Sequence, residues 1–282
     1  MRPVGAVLAL LSSVVWGTAD YLGGVASRRL PPVAVVGWSQ AVALVAVTAT
    51  AVVTGEIHAP TGWIWWSVLA GACGAAGLAA FYTALAHGTM GVVSPLAALG
   101  VVVPVLGGLA TGDRPSALQV VGMLLGFVGA VAAGGPELSG KALRSAEGRS
   151  VLLAVAAGFF FGVALLGIQR AAESSALMTT VGMRLTSVTI FVAVALAVRS
   201  TGGVTARDLP FLGLVGVMDV GANLLFGLAS TRGLHSVVAV LGAVYPVVTV
   251  LLGAVLLKER LARVQQAGVV LALGGVALLA AG

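Results

Sequence analysis

Long apolar runs alternate with short polar connections along the chain. A helix that crosses a bilayer needs about 20 mostly apolar residues, and ten runs approach or exceed this length. They cover residues 4–27, 32–54, 62–86, 90–111, 116–134, 150–170, 176–198, 209–231, 236–257 and 263–281. Lipid offers no hydrogen-bond partners to the peptide backbone, so each run has to satisfy its own polar groups as a helix. The pattern therefore predicts an all-α membrane protein with ten transmembrane helices.

One polar turn occurs twice, each time between two apolar runs. Around Asp113 the chain reads Gly-Asp-Arg-Pro, and around Glu259 it reads Lys-Glu-Arg-Leu. At a separation of 146 residues the matched pairs are Asp113/Glu259, Arg114/Arg260, Gln119/Gln265 and Gly122/Gly268. Such self-similarity indicates two copies of one unit. Because the long hydrophilic connection lies at residues 135–149, we predict a first repeat over 1–134 and a second over 150–282.

Each copy carries five predicted spans, which is an odd number. The second copy should therefore enter the membrane from the opposite side, giving two inverted five-helix repeats with the substrate site near the bilayer midplane between them. Small residues share one face of the last helix of each copy, namely Gly122, Gly126 and Gly129, and Gly268, Ala272 and Gly275. Such faces allow close helix packing. We expect this packing to occur within a monomer, with a homodimer as the alternative.

Composition places most side chains in lipid. Hydrophobic residues make up 59% of the chain and charged residues 9%, against about 25% charged residues in soluble domains, and the mean hydropathy is +1.11. The net charge of +6 comes from scattered basic residues, which is typical of loops that orient helices in a membrane and not of a nucleic-acid surface. Cys73 is the single cysteine, so we expect neither an intrachain disulfide nor a cysteine metal cluster.

The basic residues also predict an orientation. A cytoplasmic N-terminus would place four of them in the cytoplasm, Arg2, Arg114, Arg170 and Arg232. It would place ten outside, namely Arg28, Arg29, Lys141, Arg144, Arg149, Arg199, Arg207, Lys258, Arg260 and Arg263. Because cytoplasmic loops carry the excess of Lys and Arg, the sequence favours both termini outside and the 135–149 connection in the cytoplasm.

Short motifs within the repeats resemble a known family. Trp16-Gly17 lies in the first span, and Tyr245-Pro246 precedes Lys258-Glu259-Arg260-Leu261 in the second copy. With ten spans in a five-plus-five repeat, the chain resembles the EamA-like branch of the drug/metabolite transporter superfamily over nearly its whole length. The resemblance implies secondary transport of small metabolites without ATP, often the export of amino acids or toxic compounds. It implies a multi-pass protein of the inner membrane.

Three charged residues fall inside predicted spans: Asp20, Arg184 and Asp219. A charge near the bilayer centre costs about 2.5–3.5 kcal/mol on insertion scales, so these side chains have to face the bundle interior or a wet cavity. Each belongs to a polar stripe at helical spacing. The stripes are Ser13, Asp20, Gly24 and Ser27; Thr180, Arg184 and Ser187; and Asp219, Asn223 and Ser230. We therefore expect the three stripes to line one central cavity.

Two interpretations of these charges remain open. In the functional one, Arg184 binds a substrate carboxylate or keeps one Asp ionised, and the other Asp carries a coupling proton, so that Asp219 and Asp20 are the candidates. In the structural one, Arg184 and Asp219 form a buried pair that only ties two helices together. Asp20 would then pair near Arg28 at the membrane edge.

Further side chains are candidates for the wall of the cavity. Gln40 occupies about the repeat position of Arg184, where it would offer neutral hydrogen bonds to the substrate or to a neighbouring helix. Aromatic residues are either cavity walls or packing and interfacial residues. The candidates are Trp16, Trp38, Phe81, Tyr82, Phe226 and Tyr245. Of these we place Trp16, Tyr82 and Tyr245 in the predicted substrate site, beside Gln40, Asn223 and the three charged residues.

Pro95, Pro104 and Pro246 interrupt the fourth and ninth spans. A proline inside a span removes a backbone donor, which is tolerated where neighbouring groups or cavity water satisfy the freed carbonyl. Bends at these positions would let the two spans gate the cavity. Static kinks are the alternative.

The sequence does not support catalysis, a metal site or a cofactor. It lacks a phosphate-binding glycine loop followed by Lys and Ser or Thr, and it lacks a histidine pair at metal-binding spacing. His58, His87 and His235 all fall at predicted helix ends. We therefore expect a proton-coupled or facilitated exporter of a small metabolite. Uncoupled uptake or uniport is the alternative, and a passive channel or a scaffold protein is the third reading.

Overall fold

Helices form the regular secondary structure of the part of the chain that the computed structural model describes, residues 3–27, 29–87, 96–97, 99–134, 148–256 and 261–282. The α-helices are α1 (Pro3–Ala26), α2 (Pro32–Val53), α3 (Trp63–His87), α4 (Val102–Ala110), α5 (Ala117–Gly134), α6 (Gly148–Val198), α7 (Leu209–Ser230), α8 (His235–Gly242), α9 (Tyr245–Leu256) and α10 (Arg263–Ala281). Two 3-10 turns cover Glu56–His58 and Leu99–Val101. Arg28, Pro95 and the second polar turn around Glu259 lie outside the described residues, as does most of the 135–149 connection.

Six helical runs among the described residues are long and apolar enough to cross a membrane. They are Val4–Ala26, Pro32–Val53, Trp63–Phe81, Gly148–Val198, Leu209–Ser230 and His235–Leu256. Shorter apolar helices accompany them at Leu99–Ala110, Ala117–Ala133 and Arg263–Leu279. The protein is therefore an all-α, multi-pass membrane protein, as the hydrophobic pattern predicts.

The 51-residue helix α6 contains a break, at Ser175, where the backbone is not helical (φ −161°, ψ 117°). Its first arm runs antiparallel to α3. Near the start of this arm, the Ser150 hydroxyl donates to the carbonyl of Ala84 near the end of α3 at 3.0 Å. Near its end, Gly167 lies against Ala70 in the first third of α3.

The second arm of α6 runs parallel to α3. Gly182 lies against Ser67, and one turn further along both helices Thr186 lies against Gly71. Because both arms pack on the same helix in opposite senses, α6 folds back on itself at Ser175. The two arms correspond to the separate spans that the sequence predicts at 150–170 and 176–198.

Pro104 and Pro246 stand in the first turns of their helices and not in helix interiors. Helix α4 begins two residues before Pro104, directly after the 3-10 turn Leu99–Val101, and α9 begins one residue before Pro246. Helix α8 ends at Gly242, so the ninth predicted span is broken just ahead of its proline. First-turn amides have no intrahelical partner, so a proline there removes nothing that the helix needs. The ninth predicted span is thus interrupted near Pro246, Pro95 lies outside the described residues, and the part of all three prolines in gating stays a prediction.

Helix α1 packs between α7 and the α8–α9 pair. Against α7 it runs antiparallel, because the Ser12 hydroxyl donates to the carbonyl of Ala222 at 2.8 Å while Gly23, eleven residues further along α1, lies near Val215. The opposite side of α1 is apolar and exposed, as expected of a surface that faces lipid.

Against the α8–α9 pair, α1 runs parallel. The Ser13 hydroxyl donates to the carbonyls of Leu241 and Gly242 at the end of α8, and the Thr249 hydroxyl of α9 donates to the carbonyl of Gly17 at 3.0 Å. Hydroxyl-to-carbonyl bonds of this kind join helices in an environment without water. They fix the height of α1 relative to its neighbours and therefore the position of the side chains at its centre.

The last helices of the two predicted repeats, α5 and α10, pack through their glycines. A Cβ on Gly129 would lie 2.2 Å from the backbone nitrogen of Ala272, and one on Gly275 would lie 2.3 Å from the backbone nitrogen of Gly126. Such distances leave no room for a side chain, so the two backbones touch. The small-residue faces predicted from the sequence thus meet each other within the chain.

We expect Gly129→Ala to destabilise the protein, because its Cβ would collide with the backbone of α10 and force two helices apart. Overpacking of this kind costs about 1–3 kcal/mol, and we expect the melting temperature in detergent to fall by several degrees. Gly274→Ala is the matched control on α10, because its Cβ would meet no atom within 4 Å. The control should be neutral or slightly stabilising, since Ala favours helix over Gly. Equal melting temperatures for the two variants would contradict the packing described here.

Candidate functional site

A carboxylate in the middle of α7 joins three helices. Asp219 Oδ2 accepts a hydrogen bond from Nη2 of Arg184 on α6 at 2.5 Å. Its Oδ1 accepts from Nε1 of Trp16 on α1 at 3.2 Å and from Nδ2 of Asn223 at 3.4 Å. The same Asn223 amide donates to the Asp219 backbone carbonyl at 2.7 Å. Asp219 therefore holds α1, α6 and α7 in register through side chains deep inside the bundle.

Arg184 keeps hydrogen-bonding capacity that this network does not use. Its side chain is 6% exposed, and that of Asp219 is 32% exposed. The buried Nε of Arg184 has no hydrogen-bond partner among the described residues. An unpaired donor on a buried guanidinium is costly, so a group with acceptor atoms would be bound favourably at this position. A bound carboxylate is one such group, because guanidinium geometry matches it.

Asp20 lies one helical turn beyond Trp16 on the same face of α1. Its carboxyl group lies near enough to Asp219 and to the hydroxyl of Tyr245 to interact with both electrostatically. Asp20 is exposed. It is therefore not part of the packed core. Asp20, Asp219 and Tyr245 thus share one electrostatic environment.

Aromatic rings fix the position of Trp16. Its ring lies 5.5 Å from that of Phe226, centroid to centroid, and 6.2 Å from that of Tyr245 in an edge-on arrangement. Phe226 is fully buried. Rings at these distances attract each other beyond the effect of buried area, so the indole is held with its N–H toward Asp219.

The repeat architecture is also found by comparison with known proteins. A family of EamA-like transporters matches the chain twice, over residues 3–134 and 148–281. The chain belongs to the EamA-like transporter family. Its members are membrane transporters of the drug/metabolite type, and this EamA-like protein is therefore a multi-pass membrane transporter for a small molecule in a lipid environment.

A solved crystal structure has the same fold as this EamA-like protein. The two share 19% sequence identity with a TM-score of 0.78, and the match covers 99% of this chain and 96% of the other. At this identity the likeness is one of fold. No curated protein sequence matches the chain.

Most of the residues predicted for the site of this EamA-like protein lie together. Trp16, Asp20, Arg184, Asp219, Asn223 and Tyr245 form one connected group. The pair of Arg184 and Asp219 that the structural interpretation requires is present, whereas the substrate-binding and proton-coupling roles of the functional interpretation stay predictions. Among the described residues, no group of three or more His, Cys, Asp or Glu could hold a metal ion.

Other predicted residues lie apart from this group or cannot be placed. Gln40 is buried, and its Oε1 has no hydrogen-bond partner among the described residues. Trp38 donates from Nε1 to the carbonyl of Thr201 in the α6–α7 loop at 3.2 Å, at the edge of the bundle. Phe81 packs against Phe161. The side chain of Tyr82 lies outside what the structure describes, as does Arg28, the predicted alternative partner of Asp20.

Sequence reasoning missed a second polar cluster. Asp113 served there only to mark the repeat, yet its carboxylate binds the first turn of α8, at Ser236. Gln169 reaches the same turn from α6 and was not singled out. The recurrence of the acidic turn was the available signal, but it does not reveal a partner 123 residues away.

Proposed function

We propose that this EamA-like protein is an inner-membrane secondary transporter that exports a small zwitterionic or charged metabolite, such as an amino acid or a toxic compound. It works by alternating access and in exchange for protons, with ten spans arranged as two inverted five-helix repeats. The observation that carries the proposal is the group of Asp20, Asp219 and Arg184 on helices long and apolar enough to cross the membrane. No other described part of the protein brings charges of both signs together at this depth.

The directions of the helices support the inverted repeat. Helix α1 is antiparallel to α7. The second arm of α6 is also antiparallel to α7, because Arg184 pairs with Asp219 while Ala176, eight residues earlier, lies against Gly227, eight residues later. The first arm of α6 is antiparallel to the second. The first helix of the second copy therefore runs opposite to α1, as inversion requires.

The chemistry of the group supports a zwitterionic or charged substrate. The Nε of Arg184 is buried without a hydrogen-bond partner among the described residues, so a substrate carboxylate that reached it would satisfy this donor. The exposed carboxyl group of Asp20 would bind an amine or a proton. A cationic and an anionic side chain in one group would recognise both ends of a zwitterion. Low local polarity strengthens each contact.

Proton coupling follows from the two carboxyl groups. Asp219 is held by Arg184 and Trp16, whereas Asp20 has no hydrogen bond to a described residue. We assign Asp20 to bind either a proton or a cationic group of the substrate, because either one would relieve its repulsion with the neighbouring carboxylate of Asp219. Competition between the two ligands for one site would couple substrate export to proton entry.

We expect the purified protein in proteoliposomes to carry out saturable flux that is stimulated by substrate on the opposite side. The substrate for the assay would come from a thermal-shift screen of amino acids and metabolites, because a ligand at 100 times its Kd stabilises the folded state by about 2.7 kcal/mol. Protein-free liposomes give the background. Flux that never saturates would instead identify a channel, and the absence of flux for every stabilising ligand would identify a scaffold. Saturable counterflow whose rate does not depend on a pH gradient would favour uniport.

A further inference from the structure

A cluster of hydrogen bonds joins the two repeats at the membrane face where α1 begins. Asp113, in the turn between α4 and α5, accepts two hydrogen bonds at Oδ2 from Ser236, the second residue of α8. The backbone N–H donates at 2.7 Å and the hydroxyl donates at 2.8 Å. One carboxylate oxygen from the first repeat thus caps a helix of the second, and we call this contact the Asp113–Ser236 clasp.

The backbone around the clasp packs closely. The Asp113 backbone N–H donates to the carbonyl of Gly108 at 3.0 Å. A Cβ on Gly108 would lie 2.5 Å from Asp113 Oδ2 and 2.8 Å from the Ser236 nitrogen, so only glycine lets α4 approach this closely. Ser236 is completely buried. The clasp is therefore a partly buried contact between the two repeats.

A second element holds the same turn of α8 from the other side. Gln169, completely buried in the first arm of α6, donates from Nε2 to the carbonyl of His235 at 2.9 Å. The His235 ring lies 4.0 Å from Glu173, which also pairs with Arg170 at 3.1 Å. The start of α8 is thus held between a turn of the first repeat and α6 of the second.

Burial differs between the two ends of α1. Ser12 and Ser13 are 0% and 2% exposed, and every residue of α8 from Ser236 to Gly242 is buried. Toward the other end of α1, Asp20 and Gly24 are exposed, and a Cβ on Gly24 would meet no atom within 4 Å. Helix α1 is therefore closely packed between the Asp20 group and the clasp, and it is exposed beyond Asp20.

We propose that the Asp113–Ser236 clasp keeps the membrane face at the start of α1 closed, and that it separates each time the substrate chamber opens to that face. This inference rests on the alternating access proposed above. Asp113 acts on transport through the position of α8 and does not touch the substrate. It is a positioning residue, and its removal should change how often each face of the protein is open.

The test measures that change with cysteine reporters and needs no substrate. In a Cys73→Ser background, Ser13→Cys reports on the closed side and Gly24→Cys on the open side, each through its rate of reaction with a membrane-impermeant maleimide in proteoliposomes. Each rate is compared with and without Asp113→Ala, so that any effect of the reporter itself cancels. Maleimides react with thiols in contact with water, so the rates follow the fraction of time that each side is open.

We expect Asp113→Ala to speed labelling at Ser13→Cys about tenfold, as the loss of hydrogen bonds to a charged group implies, and to slow labelling at Gly24→Cys. Ser236→Ala removes the hydroxyl donor but keeps the N–H donor, so it should shift both rates in the same directions by less. This milder variant keeps the test usable if Asp113→Ala folds poorly.

Asp208→Ala is the matched control. Asp208 Oδ2 also accepts from a backbone N–H and a hydroxyl, those of Thr205, at 2.8 and 2.7 Å, but both partners are local and exposed. These hydrogen bonds, the hydroxyl's first among them, hold the pKa of Asp208 below its usual range. Asp208→Ala therefore removes the same kind of cap without breaking a contact between the repeats. The labelling rates at Ser13→Cys and Gly24→Cys should both stay unchanged.

Two outcomes would overturn the inference. One is an unchanged rate at Ser13→Cys in the Asp113→Ala and Ser236→Ala variants. The other is a faster rate at Ser13→Cys without a slower one at Gly24→Cys, because that result means local loosening and not a shift between two states. If Asp113→Ala changes the two labelling rates in opposite directions but the protein transports no substrate, the inference about the clasp is supported and the proposed transport function is rejected.

Discussion

Replacing Asp219 by Asn is expected to abolish transport driven by a pH gradient in proteoliposomes while the protein still folds. Asn is nearly isosteric and can keep the hydrogen bonds from Trp16 and Asn223, so the helices should stay in register. The negative charge that holds Arg184 is lost, however, and the guanidinium then competes for Asp20. A site with one carboxylate bound to Arg184 has none left to exchange between proton and substrate. We expect gradient-driven flux to fall to the level of protein-free liposomes.

The control for this substitution lies at the start of the same helix. Asp208→Asn changes a half-buried aspartate just before the first residue of α7, away from the Asp20 group, and should transport as the parent protein does. Gel filtration and a melting curve establish that both variants are folded, which matters because a buried Arg without its partner is destabilising. Undiminished gradient-driven flux in folded Asp219→Asn would remove Asp219 from the coupling role and leave it as a structural partner of Arg184.

The membrane-spanning helices were predictable because lipid imposes one strong rule. Every backbone polar group must be satisfied within the helix, so apolar runs of sufficient length predict their own structure. The rule applies to one segment at a time. It does not predict a break in a helix whose freed backbone groups are satisfied by neighbouring helices. The ninth predicted span is in fact α8 and α9, separated after Gly242. The structure also runs 150–170 and 176–198 into α6, with Ser175 as the break between the arms.

The candidate site was predictable for a related reason, and incompletely. Asp20, Arg184 and Asp219 stand out because charge inside a membrane is expensive unless it is paired or wet. Their mutual contacts could only be inferred, since helical spacing gives the face of one helix and not the neighbour that it meets. Gln40 shows the limit of this reasoning, because repeat position placed it opposite Arg184 whereas no hydrogen bond joins it to the Asp219 network.

The clasp was not predictable, because Asp113 lies between two predicted spans and Ser236 is the first residue of another, so neither polar side chain falls where it would be energetically unfavourable. An Asp in a polar turn and a Ser near a helix start are common at membrane surfaces, where water satisfies them. Only the packing of α4 against α8, which requires Gly108, turns Asp113 and Ser236 into a partly buried contact between repeats. A similar pair, Asp208 and Thr205, makes a local cap. The sequence therefore does not distinguish an aspartate that joins the two repeats from one that makes a local cap.

Replacing Arg184 by Lys is expected to weaken substrate binding by about 10- to 100-fold while the protein stays folded. Lys can still pair with Asp219 as a point charge, so the link between α6 and α7 survives. It lacks the planar fork of Arg, and with it the Nε donor that has no partner in the site. The loss of one hydrogen bond to a charged group, about 1.5–3 kcal/mol, corresponds to that fall in affinity. Thermal-shift titration with the substrate measures it.

Arg170→Lys is the matched control for this experiment. Arg170 also donates to a carboxylate, that of Glu173 at 3.1 Å, but this pair is partly exposed and lies outside the chamber. Exposed pairs contribute little, so its replacement should leave both stability and affinity unchanged. Arg184→Met tests the opposite limit, because it leaves Asp219 without its cation and should lower stability as well as affinity. Substrate affinity that is equal in Arg184→Lys and the parent would mean that Arg184 serves only to join helices, and the substrate would then be recognised through Asp20 without its help.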